Sequence, residues 1–259
     1  MRAALFLCLA APALTQTPAD VLGLPSTGQR ATVARQWTLQ VAKHPARMRD
    51  PALESVLREI GVRLRAGGPF LVWDERRGSP PLPGDLAFPR VVARSGLVEP
   101  VALPDGAVIL PLPMLGAIES EPELAAMLAH ATAHTELRHA DKMAEREQIF
   151  GVWADASTHS PEWNCRPNLN VFAREFEMEA DRAAAEKLAR AGYDPSALAA
   201  WIRSSGADSD DARPPAGARV AALRRASETL PPSVNEPVPG WEAFRRRVRE
   251  YLDGPVSPR

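Results

Sequence analysis

The chain has 259 residues, 45% of them hydrophobic and 24% charged, with a formal net charge of -1. That length and apolar share suffice for one sizeable core, and the near-zero charge excludes an overall basic field that would gather nucleic acid or anionic lipid. The 26 prolines stiffen the connections between regular elements rather than marking the whole chain as disordered.

Met1-Arg2, an uncharged run from Ala3 to Leu14 and polar Thr15-Gln16-Thr17 form a secretory signal pattern over residues 1–16, with small residues near Ala11, Ala13 and Thr15 as cleavage points. A buried N-terminal helix is the alternative. The run is too short to span a bilayer as a stable helix, and no other stretch approaches the roughly 18 apolar residues a membrane helix needs. The expectation is an exported chain, periplasmic or extracellular, with no transmembrane span once mature. Cys8 would leave with the signal, and Leu7 before it argues against a lipid anchor. Cys165 would then stand alone, without an internal disulfide.

Residues 17–45 are mixed in composition and expected to be irregular. A domain over 46–230 begins with Asp50-Pro51 and the helical spacing of Leu53, Val56, Leu57, Ile60, Val62 and Leu64, closed by Gly67-Gly68. Phe70–Trp73, Val91-Val92-Ala93 and Val101-Ala102-Leu103 are strand candidates. Pro104-Asp105-Gly106 is a tight turn that makes Ala107–Leu110 the second arm of a hairpin. Ser120-Glu121-Pro122-Glu123 has capping-box spacing and predicts a long helix to about residue 150. After an aperiodic stretch with Trp153, Trp163 and Cys165, a second helix runs from about residue 171 to 191 and stops at Gly192-Tyr193-Asp194-Pro195. A short helix near 196–204, a linker, and a helix to about 229 complete the domain. Residues 231–259 form a further linker and a basic helix whose Arg245-Arg246-Arg247 run reads as a solvated face.

The chemistry concentrates in His130-Ala131-Thr132-Ala133-His134. Two histidines four apart on a helix lie about 40° from each other on adjacent turns, so both rings can reach one ion, half of a zinc site. Alone, such a pair is commonly incidental. On the second helix Glu177 and Asp181 share a stripe with Ala184 and Leu188, which points both carboxylates at the core, whereas Glu175 and Glu179 fall with Arg182 and Glu186 on a solvated face. Buried carboxylates are costly unless paired or bound to a cation. One zinc ion per chain held by His130, His134 and Glu177 removes that cost, with Asp181 accepting a hydrogen bond from the outer nitrogen of a histidine. Pairing of Asp181 with an arginine is the alternative.

With these residues in view, the chain resembles peptidase family M48, the HtpX/BepA/Oma-type gluzincins, whose pattern is His-Glu-x-x-His on one helix and Glu-x-x-x-Asp on a later one. The matching stretches are Glu123 to His130, Ala133-His134, Arg138-His139-Ala140, Glu177 to Arg182 and Ala191 to Pro195. Leu103–Gly106 and Pro214-Pro215 to Leu223-Arg224 match more loosely. The resemblance implies an α+β, mostly helical, zincin-like fold with a small sheet packed on the zinc-binding helix. It also implies a polypeptide substrate along the edge strand and proteolysis in membranes or cell envelopes.

Two departures stand out against that pattern. Glu99-Pro100 replaces the Asn-Ala pair that usually precedes the strand turn. Ala131 occupies the position of the glutamate that takes the proton of the zinc-bound water, and a positioned general base is worth roughly 10² to 10⁴ in rate. Glu136 lies about 200° around the helix from the second histidine and Glu123 is about two turns away, so neither replaces it. Three readings follow: a zinc metalloendopeptidase with impaired hydrolysis, an inactive zinc-binding pseudo-peptidase that serves as a polypeptide-binding chaperone or adaptor, and a structural protein without metal.

Overall fold

A computed structural model describes residues 27–78, 100–103, 105–143, 145–146, 166–204, 213–227 and 236–255. The signal segment, the Val91–Ala93 strand candidate, Glu99, Trp153, Trp163 and Cys165 lie outside the described residues.

The first described element corrects the expectation of an irregular N-terminal segment: Thr27–Lys43 is a helix, α1. Its buried stripe is Ala34, Trp37, Thr38 and Val41, which has helical spacing, but alanine and threonine carry half of it and mute the apolar signal. Helix α2, Pro51–Arg63, starts where expected because the Asp50 carboxylate accepts hydrogen bonds from the N–H groups of Ala52 at 2.8 Å and Leu53 at 3.4 Å, with Pro51 in the first turn.

Three strands follow, β1 (Phe70–Trp73), β2 (Val101–Ala102) and β3 (Val108–Pro111), in the order β1-β3-β2. The hairpin is present: β2 pairs antiparallel with β3, Val101 opposite Ile109, while β1 pairs parallel with β3, Phe70 opposite Val108. At the turn Gly106 has φ 94°, and a Cβ there would stand 2.6 Å from the Gly67 carbonyl oxygen, so glycine alone fits. Alternation along the strands divides the interior. Val72, Val108 and Leu110 enter the larger core, whereas Leu71, Trp73 and Ile109 meet Trp37 and Val41 of α1 on the other face.

Helices α3 (Leu112–Ala117), α4 (Glu121–Glu136), α5 (Arg166–Arg190), α6 (Ser196–Ser204), α7 (Ala216–Ser227) and α8 (Trp241–Asp253) complete the described fold. The cap of α4 differs in one arm from the expected box. Ser120 Oγ accepts from Glu123 N at 3.4 Å, but Glu123 reaches past the cap to Glu119 N at 2.9 Å. The helix ends at Glu136 rather than near residue 150. The N–H groups of Leu137 and Arg138 bond back to the carbonyls of Ala133 and Thr135, Arg138 takes φ 58°, and the chain is helical again over 139–143. No glycine or proline marks this break. Helix α5 starts at Arg166, a turn earlier than expected, and closes with Tyr193 N on Leu188 O and Gly192 N on Ala189 O around Gly192 at φ 79°.

The far end of α4 is fixed through buried Glu121. Its carboxylate accepts from Tyr193 Oη at 2.8 Å and Val238 N at 2.6 Å, and lies 3.5 Å from Arg63 Nη1. Helix α8 is not merely a solvated basic helix. Phe244 and Val248 enter the larger core, and Arg247 lies 2.7 Å from Asp50 Oδ2, an oxygen that also accepts from Tyr251 Oη at 2.8 Å.

Candidate metal centre

Helices α4 and α5 pack against each other. Leu124, Ala125, Ala126, Met127, Leu128 and Ala129 are completely buried on the way to His130, so the two histidines stand on a rigid rod rather than on a loop. Strand β2, at one end of the sheet among the described residues, lies beside that rod, where Thr135 Oγ1 donates to the Leu103 carbonyl at 3.2 Å. On the remaining side Lys187 of α5 pairs with Glu136 and donates to Thr132 Oγ1 at 3.1 Å.

His130, His134 and Glu177 come together. His130 Nε2 and His134 Nε2 are 3.1 Å apart, Glu177 Oε2 is 3.5 Å from the first, and Glu177 Oε1 is 3.5 Å from the second. Ligands about 2.0–2.1 Å from a tetrahedral zinc lie about 3.3 Å from one another. The three groups, within 4.8 Å of one another, therefore fit one such ion and could hold it. Two imidazoles and a carboxylate are a donor set that suits zinc.

Asp181 makes both contacts that the sequence left as alternatives. Its Oδ1 lies 3.0 Å from His130 Nδ1. Both of its oxygens also accept from Arg219 of α7, at 2.7 Å each. Arg219 Nη2 lies 3.3 Å from Glu177 Oε2 as well. Sequence reasoning missed this guanidinium, although it falls inside the loosely matching 214–224 segment. Trp201 of α6 adds an indole 5.1 Å from the His130 ring.

A second contact departs from the solvated face expected for Glu179. Its Oε2 lies 3.2 Å from Nε2 of buried His139, whose Nδ1 is 3.0 Å from His134 Nδ1.

Charges follow this geometry. Burial pushes the His130 ring down, but the contacts to Asp181 and Glu177 outweigh it and raise the ring to about 9. Burial holds His134 near 3. Burial would lift Glu177, yet His130, His134 and Arg219 bring it well below the ordinary carboxylate range.

Residues 90–227, just over half of the chain, match Peptidase family M48. The chain belongs to that family. The match covers β2, β3, α4, α5, α6 and α7, all of the elements that build the centre. In this M48 member position 131 is an alanine, 2% exposed, one residue past the first histidine. No curated protein matches the chain. Among the described residues no helix is long and apolar enough to cross a membrane.

Proposed function

We propose that this M48 chain is a zinc-binding metalloendopeptidase homologue of the bacterial-type cell envelope that acts on polypeptides, with hydrolysis impaired at position 131. The observation that carries the reading is the approach of His130, His134 and Glu177 to within 4.8 Å of one another. These three side chains hold the ion, Asp181 and Arg219 orient His130 and Glu177, and residues 46–230 form the metallopeptidase-like domain. Zinc bound there supplies a Lewis acid and acidifies a bound water.

The alanine at 131 offers a methyl group where the reaction needs a proton acceptor. The nearby acids on α4 are committed elsewhere: Glu136 to Lys187, and Glu123 to the Glu119 backbone. This observation favours a second reading, an inactive pseudo-peptidase that holds zinc and binds polypeptides without cutting them, along the β2 edge.

Metal analysis of the full chain purified without added zinc tests the shared premise. About one zinc per chain is expected, and it should be lost in the double variant His130→Ala/His134→Ala. Zinc retained by that variant would remove the assignment.

A further inference from the structure

We propose that Glu179 and His139 are positioning residues that set the tautomer of His134, so that the nitrogen it turns toward the ion carries a free lone pair. The proposal rests on the zinc reading above. It concerns how the chain prepares its second histidine.

His139 is 4% exposed, stacks on Phe176 with ring centroids 4.4 Å apart at 11°, and meets the His134 ring edge-on at 4.9 Å and 80°. Its two nitrogens face different partners. Nε2 lies 3.2 Å from Glu179 Oε2, and Nδ1 lies 3.0 Å from His134 Nδ1. An ionised carboxylate can only accept, so the proton on this side belongs to His139 Nε2. In the neutral ring Nδ1 is then an acceptor, and the proton between the two Nδ1 atoms must come from His134. That leaves His134 Nε2 unprotonated, and this is the nitrogen 3.5 Å from Glu177 Oε1 and 3.1 Å from His130 Nε2.

The two histidines are thus served in parallel. The outer nitrogen of His130 faces Asp181 directly, backed by Arg219. The outer nitrogen of His134 faces Glu179 through one intervening ring, and Lys142 Nζ stands 3.7 Å behind that carboxylate. Removing such outer partners typically weakens metal binding about 10- to 100-fold.

The test uses the metal-free, nitrogen-15-labelled full chain, whose 5 histidines make ring signals assignable, followed by zinc titration of each protein. His134 is expected as the Nδ1–H tautomer in the parent chain and in Glu179→Gln, whose amide oxygen still accepts from His139. In Glu179→Ala and His139→Phe it should shift toward Nε2–H, with zinc affinity lower by about 10- to 100-fold, while Glu179→Gln stays close to the parent. His139→Phe keeps the stacking on Phe176, and Glu179 is 43% exposed, so folding should survive in both. An Nε2–H tautomer in the parent overturns the proposal. So does an unchanged tautomer in Glu179→Ala and His139→Phe with affinity within about twofold of a zinc-binding parent. A parent that shows the tautomer shifts yet takes up no zinc removes the metal assignment and leaves the relay standing.

Discussion

Arg219 grips Asp181 through two 2.7 Å contacts while the same carboxylate lies 3.0 Å from His130, so one buried acid is shared between α7 and the histidine helix. Asp181 is 2% exposed and Arg219 3%. Breaking such a pair leaves the buried Asp181 carboxylate with His130 as its one remaining cation among the described contacts, and costs up to about 3–5 kcal/mol. Arg219→Met should lose about that much in urea unfolding, and Arg219→Lys should recover only part, since an ammonium cannot span both oxygens. Both variants within about 1 kcal/mol of the parent would mean that the pair contributes little.

Zinc affinity should rise with pH. With His130 raised to about 9 and His134 held near 3, the metal-free site carries one proton on His130 at neutral pH, between its Nε2 and that of His134. Zinc needs that lone pair, so binding releases a proton below about pH 9, and affinity should grow about tenfold per pH unit between about pH 5 and 8. Calorimetry in buffers of different ionisation enthalpy measures the proton count. A flat affinity across that range would show that His130 is already neutral.

Replacing Ala131 with glutamate separates the two functional readings. The parent should cleave casein very slowly or not at all. Ala131→Glu should gain roughly two to four orders of magnitude, abolished by a chelator. Strong chelator-sensitive cleavage by the parent would show that another base is in place, and the pseudo-peptidase reading would fall. A zinc-loaded but inactive Ala131→Glu protein would favour binding without hydrolysis.

Export is checked by intact mass. Protein made in a secreting host should begin between about residues 12 and 20, after cleavage near the small residues that end the apolar run. Met1 retained on protein in the cytosolic fraction would refute the signal reading.

The strongly periodic parts of this chain were legible from spacing, and the parts decided by tertiary contact were not. Asp50-Pro51, the Gly106 turn, the His130–His134 pair and the Glu177–Asp181 stripe each carry their local geometry in neighbouring residues of one element. Helix α1 was hidden because Ala34 and Thr38 dilute its stripe. The break after Glu136 was hidden because Arg138 takes a left-handed conformation with no glycine to announce it. Arg219 lies 38 residues beyond Asp181, and no periodicity links positions on different helices. A buried-looking carboxylate does signal that some cation must exist; which one depends on how α7 folds back. The same limit applied to Glu179, whose place on a polar face concealed its contact with His139.

Glu121 gives the site a mechanical character. It sits nine positions before His130, about 13 Å along α4, and there Tyr193, the Val238 backbone and Arg63 converge on its carboxylate. The histidines therefore ride on a lever whose pivot is bolted to the approach to α6, the approach to α8 and the end of α2, about 13 Å along the helix from His130. Architecture and chemistry are uncoupled along one rod. The position of the rod is therefore set by contacts that do not involve the side chain at 131.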